Sequence, residues 1–285
     1  MKKITYFILI AVFGFNVMLH SQSSSITTDS NLSKSKKGGD KGIDLNVKVF
    51  LEGAFNGTDM NTDLNTQDIP LTQPFNIEPW NYTGSESVSS IPNADVVDWV
   101  LLEARDATSA NTASPSKTID RQAAFLLKDG SIVSIDGSSK PQFSGTVVHD
   151  LFILIYHRNH LPVLSANPLT LTGGEYVYDF TTPAGQAYGT GAQKDLGSVY
   201  AMYGGDSDAS ENIDMVDKEI NWLNDAGKTG YYHSDLNMDK EVNNPDKNDI
   251  WEPNLGKKSQ LPGSCGGQTV VSLPLPDNCN SGGAK

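Results

Sequence analysis

Apolar and polar positions alternate in short stretches between residues 43 and 203, and a period of two is typical of half-buried β-strands. The alternation is clearest over residues 46–51 and 175–181. Residues 95–103 and 147–157 instead hold nearly continuous apolar runs, which suit strands covered on both faces. Short strands with no long helical period between them predict a mainly β fold, an antiparallel β-sandwich over residues 43–203.

Turn residues separate these strands. Asp129-Gly130 lies between residues 121–127 and 131–135, and Asp-Gly supplies the positive φ angles of a tight hairpin turn. The long stretch 53–92 carries many turn residues. We expect it to form an elaborated loop with one or two short edge strands.

The period changes after residue 203, where two acidic segments repeat each other at an offset of 29 residues, from Asp206 to Asp235. Each has short oxygen-bearing side chains at positions 1, 3, 5, 9 and 12 and a backbone carbonyl at position 7, the ligand pattern of a 12-residue calcium loop. The predicted ligands are Asp206, Asp208, Ser210, Asn212, Asp214 and Asp217 in the first loop, and Asp235, Asn237, Asp239, Glu241, Asn243 and Asp246 in the second.

The repeat extends beyond the ligands, since Ile213 matches Val242 and Trp222 matches Trp251. A duplicated structural unit explains this better than chance acidity, so we predict two Ca²⁺ sites. The alternative is a pair of solvated polar turns that bind no metal. After each loop, residues 217–223 and 246–251 predict a short helix, and Pro253 is expected to stop the second one early.

The loop–helix pair over residues 206–262 resembles the type I dockerin module, in which two calcium loops each lead into one exiting helix. The resemblance implies calcium binding through the residues given above, with Asn212 and Glu241 acting through their carbonyls. Position 6, normally glycine, holds Glu211 and Lys240, at a cost of about 1 kcal/mol each if φ is positive. A neutral Ser210 at position 5 should weaken the first site.

Positions 10 and 11 also depart from the dockerin pattern. Dockerins carry cohesin-reading hydroxyl groups there, whereas this chain has Met215-Val216 and Asn244-Pro245. The resemblance therefore implies calcium binding and does not extend to cohesin binding.

The rest of the chain is similar to a β-rich module of secreted Bacteroidota proteins that leads directly into a dockerin-like pair. In that family the module occurs in large surface proteins, including adhesin-like ones, and the resemblance implies a secreted protein or one on the extracellular face of a Gram-negative outer membrane. The stretches that carry it are Phe50-Leu51-Glu52-Gly53 to Asp59-Met60-Asn61, Pro79-Trp80-Asn81-Tyr82, Val97-Asp98-Trp99-Val100 to Arg105-Asp106, Tyr156-His157-Arg158-Asn159-His160-Leu161 and Ser259-Gln260-Leu261-Pro262.

The two ends of the chain predict export. Lys2 and Lys3 precede an apolar run that is short for a membrane span, so residues 1–21 read as a cleaved signal peptide and the mature chain as free of transmembrane segments. Residues 22–42 are polar and predict a flexible leader. Residues 263–285 form a Gly/Pro-rich tail, where Cys265 and Cys279 are candidates for a disulfide in an oxidising compartment.

The net charge of −13 disfavours nucleic acid and anionic lipid as partners. Trp80, Tyr82 and Trp99 are candidates for a glycan-binding platform, although such aromatic residues are more often core anchors. His157 and His160 follow the most apolar strand, and in an extended chain they would face opposite ways. With no acid, base and nucleophile set in view, we interpret the histidines as structural.

These patterns predict a non-catalytic, calcium-binding protein with a β-sandwich (43–203) and a small α dockerin-like domain (204–262). We expect a binding or adhesion module with a cell-surface or outer-membrane protein partner, or a glycan. Two alternatives stay open: a structural subunit docked into a surface complex through the loop–helix pair, and an accessory to extracellular polysaccharide degradation.

Overall fold

The computed structural model describes residues 42–263, in which most regular structure is β. Two helical segments follow the strands: α1 combines a π-helical turn, Asp217–Trp222, with an α-helical turn, Leu223–Asp225, and α2 combines Asp246–Trp251 with Glu252–Asn254. The strands are β1 Ile43–Lys48, β2 Val96–Ala107, β3 Thr118–Leu127, β4 Ile132–Val133, β5 Gln142–Phe143, β6 Asp150–Tyr156, β7 Val163–Leu164, β8 Thr170–Thr172, β9 Glu175–Asp179, β10 Lys194–Asp195 and β11 Tyr200–Ala201.

The larger sheet has five antiparallel strands in the order β4-β3-β2-β6-β7. Its central strand β2 is buried along almost its whole length, as the continuous apolar run predicts. The hairpin from β3 to β4 is confirmed at Asp129-Gly130, where Gly130 has a φ of 84° and the Leu127 N–H donates to the Ser131 carbonyl at 2.8 Å.

The smaller sheet has four strands in the order β5-β1-β9-β8. Both sheets contribute to one core, which includes Leu45 of β1, Tyr178 of β9, Leu102 of β2 and Ile153 of β6. Two sheets that share a core in this way are consistent with a β-sandwich. One pairing differs from the antiparallel expectation, because β1 and β9 are parallel. They are joined through the strands of the other sheet, so no hairpin constrains their direction.

The segments outside the sheets follow the expectations in part. Residues 53–92 form a loop, but instead of edge strands they contain one 3₁₀ turn, Asp63–Asn65, and isolated bridges. Both predicted helices are present and each begins at the last residue of its loop. The expectation that Pro253 stops α2 is wrong: α2 continues to Asn254. Pro253 is the second residue of the α-helical turn Glu252–Asn254, where its fixed φ is compatible with the helix.

The described residues 42–263 fall into a single compact unit, so the sandwich and the loop–helix pair are in contact, and the domain boundary at 203/204 stays a prediction. The predicted signal peptide (1–21), the predicted leader (22–42) except for its last residue, and the Cys265–Cys279 pair lie outside the described residues. Within the described part of the chain, no helix is long and apolar enough to cross a membrane.

Candidate metal centre

The carboxylate at position 12 organises each acidic loop. Asp217 in the first loop and Asp246 in the second each accept backbone N–H groups from positions 2, 3 and 9. The distances are 2.7, 3.3 and 2.8 Å in the first loop and 2.7, 3.0 and 2.8 Å in the second. The sequence repeat is therefore also a repeat of geometry.

The carboxylate at position 1 closes the tight turn of each loop. Asp206 accepts the N–H groups of positions 5 and 6 at 2.9 and 3.1 Å, and Asp235 accepts the equivalent pair at 3.1 and 3.1 Å. This turn requires a left-handed backbone at positions 4 and 6. Glu211 and Lys240 have φ angles of 66° and 79°, so the strain predicted for position 6 is present in both loops.

Each loop–helix unit contacts the other through the tryptophan of its helix. Trp222 of α1 donates its indole N–H to the Asn243 carbonyl of the second loop at 2.9 Å, and Trp251 of α2 donates to the Asp214 carbonyl of the first loop at 3.0 Å. The Lys247 ammonium lies 5.0 Å from the Trp222 ring centroid, and Lys218 lies 5.6 Å from that of Trp251. Each tryptophan thus contacts the opposite loop at position 9.

Four carboxylates of the loops are buried: Asp206, Asp217, Asp235 and Asp246 have at most 2 % of their surface exposed. Among the described residues, none of the four forms an ion pair with a basic side chain. Burial raises the pKa of all four. For Asp206 the charges of Asp217 and Asp208 add to the effect, and the pKa lies well above its usual range. The pKa rises to about 6 for Asp217 and about 7 for Asp235.

The donor atoms converge in the first loop, where ligand oxygens of Asp206, Asp208 and Asp217 lie within 4.8 Å of one another. The Ser210 hydroxyl lies 3.3 Å from the Asn212 carbonyl oxygen, which places positions 5 and 7 side by side. Asp214 is exposed and accepts the Val216 N–H at 2.8 Å, so its carboxylate is turned toward the helix start.

The second loop has an amide at position 3, Asn237, in place of the first loop's carboxylate. At position 9 the Asn243 side-chain oxygen is buried and has no hydrogen-bond partner in the described part of the chain, and this is one of the predicted ligand atoms. The Glu241 carboxylate is in the exposed part of the loop and accepts from the Asn243 amide at 3.3 Å. Only its carbonyl is therefore a candidate ligand.

A buried network joins the larger sheet to the second loop. The sequence predicted a structural role for its histidines but did not indicate the residue at its centre. Its centre is Asp98 of β2, fully buried. One of its oxygens accepts from Arg158 Nε at 2.8 Å and lies 3.1 Å from His157 Nε2, and the other accepts the Tyr231 hydroxyl at 2.7 Å. Burial alone would raise the pKa of Asp98, but the Arg158 charge and the His157 contact outweigh burial and lower the pKa.

The expectation that His157 and His160 face opposite ways is wrong, because their Nδ1 atoms lie 3.1 Å apart. β6 ends at Tyr156, and the chain turns there instead of continuing as an extended strand. Both rings are buried, and burial is the main cause that lowers their pKa values. They act inside the network, with His160 Nε2 accepting the Gly53 N–H at 3.3 Å.

The residues beside these histidines reach the second loop directly. The Asn159 side-chain amide donates to the carbonyls of His233 and Asp235 at 2.9 and 2.8 Å, and Arg158 donates to the Tyr232 carbonyl. Gly53 packs so closely that a Cβ there would lie 1.8 Å from the Leu236 oxygen. The backbone of the second loop is therefore fixed by residues far away in sequence.

No protein-family model matches the chain, and no curated protein matches its sequence. Among solved structures it is similar to a chain of a type II cohesin–X-dockerin complex, an N-terminal interface mutant, from Acetivibrio cellulolyticus. The TM-score is 0.33 and the identity 15 %, over 56 % of this chain and 82 % of that chain. A likeness this weak carries no weight for fold or function.

Proposed function

We propose that the protein is an exported, non-catalytic binding or assembly module whose loop–helix pair binds two Ca²⁺ ions. The observation that carries the calcium assignment is the set of four buried aspartates that form no ion pair with a basic side chain within residues 42–263. A buried charge is costly unless it is paired or coordinates a metal. The orphaned Asn243 oxygen supports the same assignment, and oxygen-only ligands at this spacing are those that Ca²⁺ prefers.

In this proposal the ions stabilise the fold. The acidic loops repel themselves when no cation is bound, so the free energy of binding adds to the free energy of unfolding. A site filled at a hundredfold excess over its Kd contributes about 2.7 kcal/mol. That corresponds to a rise in melting temperature of roughly 5–10 °C per site.

The first experiment is a calcium titration by calorimetry together with melting in calcium and in excess chelator. We expect two ions per chain, a lower melting temperature in chelator and a change in tryptophan fluorescence, because Trp222 and Trp251 contact the loops. Asp217→Asn and Asp246→Asn should each reduce the stoichiometry to one. An unchanged melt in chelator would refute the assignment.

The exposed face of α1 favours assembly with a protein partner. Four large apolar side chains on it are 42–58 % exposed, whereas the positions 29 residues later are polar or proline. On a soluble protein, a large exposed apolar patch usually marks an interaction site. The apolar side chains are Met215, Val216, Ile220 and Leu223 in α1 and its entry. The equivalent residues in α2 and its entry are Asn244, Pro245, Asp249 and Glu252.

Copurification from the producing cell tests whether a protein partner docks on the exposed face of α1. We expect a stoichiometric surface-protein partner that is lost with the double variant Ile220→Asp, Leu223→Asp. The matched control is Asp249→Ala, Glu252→Ala on the equivalent face of α2. Equal recovery of the partner with both variants would contradict docking through α1 and would leave the calcium assignment untouched.

A further inference from the structure

A cleft of about 610 Å³ lies between the larger sheet and the first loop, a volume within the range of roughly 300–1,000 Å³ found for small-molecule sites. Its sheet side is formed by Glu103 of β2, Arg121 of β3 and Tyr156 of β6, with Pro79 and Trp80 at the edge. Its loop side includes Asp206 and residues 209–212. The cleft is separate from the exposed face of α1.

Three side chains on adjacent strands present hydrogen-bonding capacity to this cleft. Glu103 and Arg121 are cross-strand partners, and Tyr156 pairs with Leu101, two residues before Glu103, so all three share one face of the sheet. Arg121 and Glu103 form an ion pair, with Nε 3.3 Å from Oε2, and Arg121 Nη1 donates to the Trp80 carbonyl at 2.9 Å. Within residues 42–263, Arg121 Nη2 and Glu103 Oε2 have no hydrogen bond, so each keeps capacity for a ligand.

The Tyr156 hydroxyl is the third group, and no hydrogen bond to it occurs within residues 42–263. Burial first, and the charge of Glu103 second, raise the pKa of this hydroxyl, so it stays an O–H donor at every physiological pH. The site thus offers a guanidinium donor, a hydroxyl donor and a carboxylate acceptor, each with capacity that the protein itself does not use.

The charges around the cleft select against ionic ligands. An anion would face the Glu103 carboxylate in a chain of net charge −13, and a cation would face the Arg121 guanidinium. An apolar ligand would leave the three polar groups without partners, which is costly. An extended peptide is usually recognised by the backbone of a strand edge, whereas Glu103 stands on the central strand of its sheet. A neutral ligand rich in hydroxyl groups satisfies all of these conditions.

We propose that this cleft binds a neutral oligosaccharide, with the Tyr156 hydroxyl and the Arg121 guanidinium donating to sugar oxygens and the Glu103 carboxylate accepting from a sugar hydroxyl. The site differs from the platform considered from sequence. Trp99 has no exposed surface and donates its indole N–H to the Pro70 carbonyl, so only Trp80 of the three aromatic residues borders the cleft.

The test uses the full mature chain in saturating calcium, with fluorescently labelled neutral gluco-, xylo-, manno- and galacto-oligosaccharides of two to six units as probes. Hexuronic-acid oligomers and an extended polyserine peptide serve as the competing classes. We expect at least one neutral series to bind with a Kd in the micromolar to millimolar range. Tyr156→Phe should weaken it about tenfold, the effect of one lost hydrogen bond, with no change in melting temperature.

The matched control is Tyr176→Phe in β9 of the other sheet, which should bind like the parent. Binding of only the uronic acids or only the peptide overturns the proposal, as does failure of every neutral probe at millimolar concentration. Neutral binding that Tyr156→Phe leaves unchanged overturns it too. None of these results bears on calcium, which the stoichiometry and the chelator melt decide separately.

Discussion

At the residue scale, the left-handed backbone at position 6 of each loop is the most local source of strain in the metal centre. Glu211 and Lys240 adopt φ angles of 66° and 79°, where a side chain costs about 1 kcal/mol relative to glycine. We expect Glu211→Gly to raise the melting temperature by roughly 2–4 °C. Thermal unfolding in saturating calcium measures this.

Lys240→Gly is the companion variant and should gain less. The Lys240 ammonium forms an ion pair with Asp68 at 2.8 Å, and a partly exposed pair of this kind is worth about 0.2–1 kcal/mol. Its loss offsets most of the relieved strain. A decrease in melting temperature for Glu211→Gly would show that its side chain contributes more than its backbone strain costs.

At this scale the repeat of the two loops could be predicted from the sequence, because each loop is a local structure. The hydrogen bonds that close each loop span at most ten residues, as between Ser207 and Asp217, so fixed spacing is enough to predict which atoms meet. The same reasoning failed for His157 and His160, whose orientation depends on Asp98, 59 residues away from His157 in sequence. No periodic pattern records such a contact.

At the element scale, the segment after β1 and the second acidic loop pack so closely at Gly53 that adding one methyl group tests the contact. A Cβ on Gly53 would meet the Leu236 carbonyl oxygen at 1.8 Å and its carbon at 2.8 Å, and both are backbone atoms that cannot rotate away. We expect Gly53→Ala to cost about 1–3 kcal/mol of unfolding free energy and to weaken calcium binding at the second loop. Urea unfolding and calcium calorimetry measure the two effects.

Gly57→Ala is the control for that variant. Gly57 has a φ of 103°, so alanine is strained there, but a Cβ would meet nothing within 4 Å. It should lower stability without changing either calcium site. Equal calcium affinities in Gly53→Ala and Gly57→Ala would mean that the loop tolerates displacement and is not positioned by the sheet.

Prediction of elements from the sequence was also limited by contacts between residues that are far apart in the chain. Alternation and apolar runs located β1, β2, β3, β6 and β9, because the pattern of apolar and polar residues within a strand reflects how that strand is buried. The pairing of β1 with β9, parallel and more than a hundred residues apart in sequence, is set by how the two sheets close around the shared core. Burial patterns predict that a strand has partners, but they do not say which ones.

At the scale of the whole molecule, Asp98 connects the central strand of the larger sheet to the segment between the two calcium loops. It pairs with Arg158 of the turn after β6 and accepts the hydroxyl of Tyr231, which lies just before the second loop. Arg158 in turn donates to the Tyr232 carbonyl. Because all of these groups are buried, removing the carboxylate leaves a buried guanidinium without its counter-charge.

Asp98→Asn is therefore expected to cost about 3–5 kcal/mol of unfolding free energy. It should also weaken the second calcium site more than the first, because Arg158 and Asn159 hold the backbone from Tyr232 to Asp235. Denaturant unfolding at saturating calcium gives the first quantity, and calorimetry on an Asp217→Asn background, where only the second site remains, gives the second. Asp95→Asn, which removes an exposed ion pair to Lys128, is the control and should leave both unchanged. If Asp98→Asn destabilises the sheet while the second site keeps its affinity, the sandwich and the loop–helix pair are in contact but energetically independent. If stability and calcium affinity are both lost, calcium bound at the loops stabilises the sheet as well.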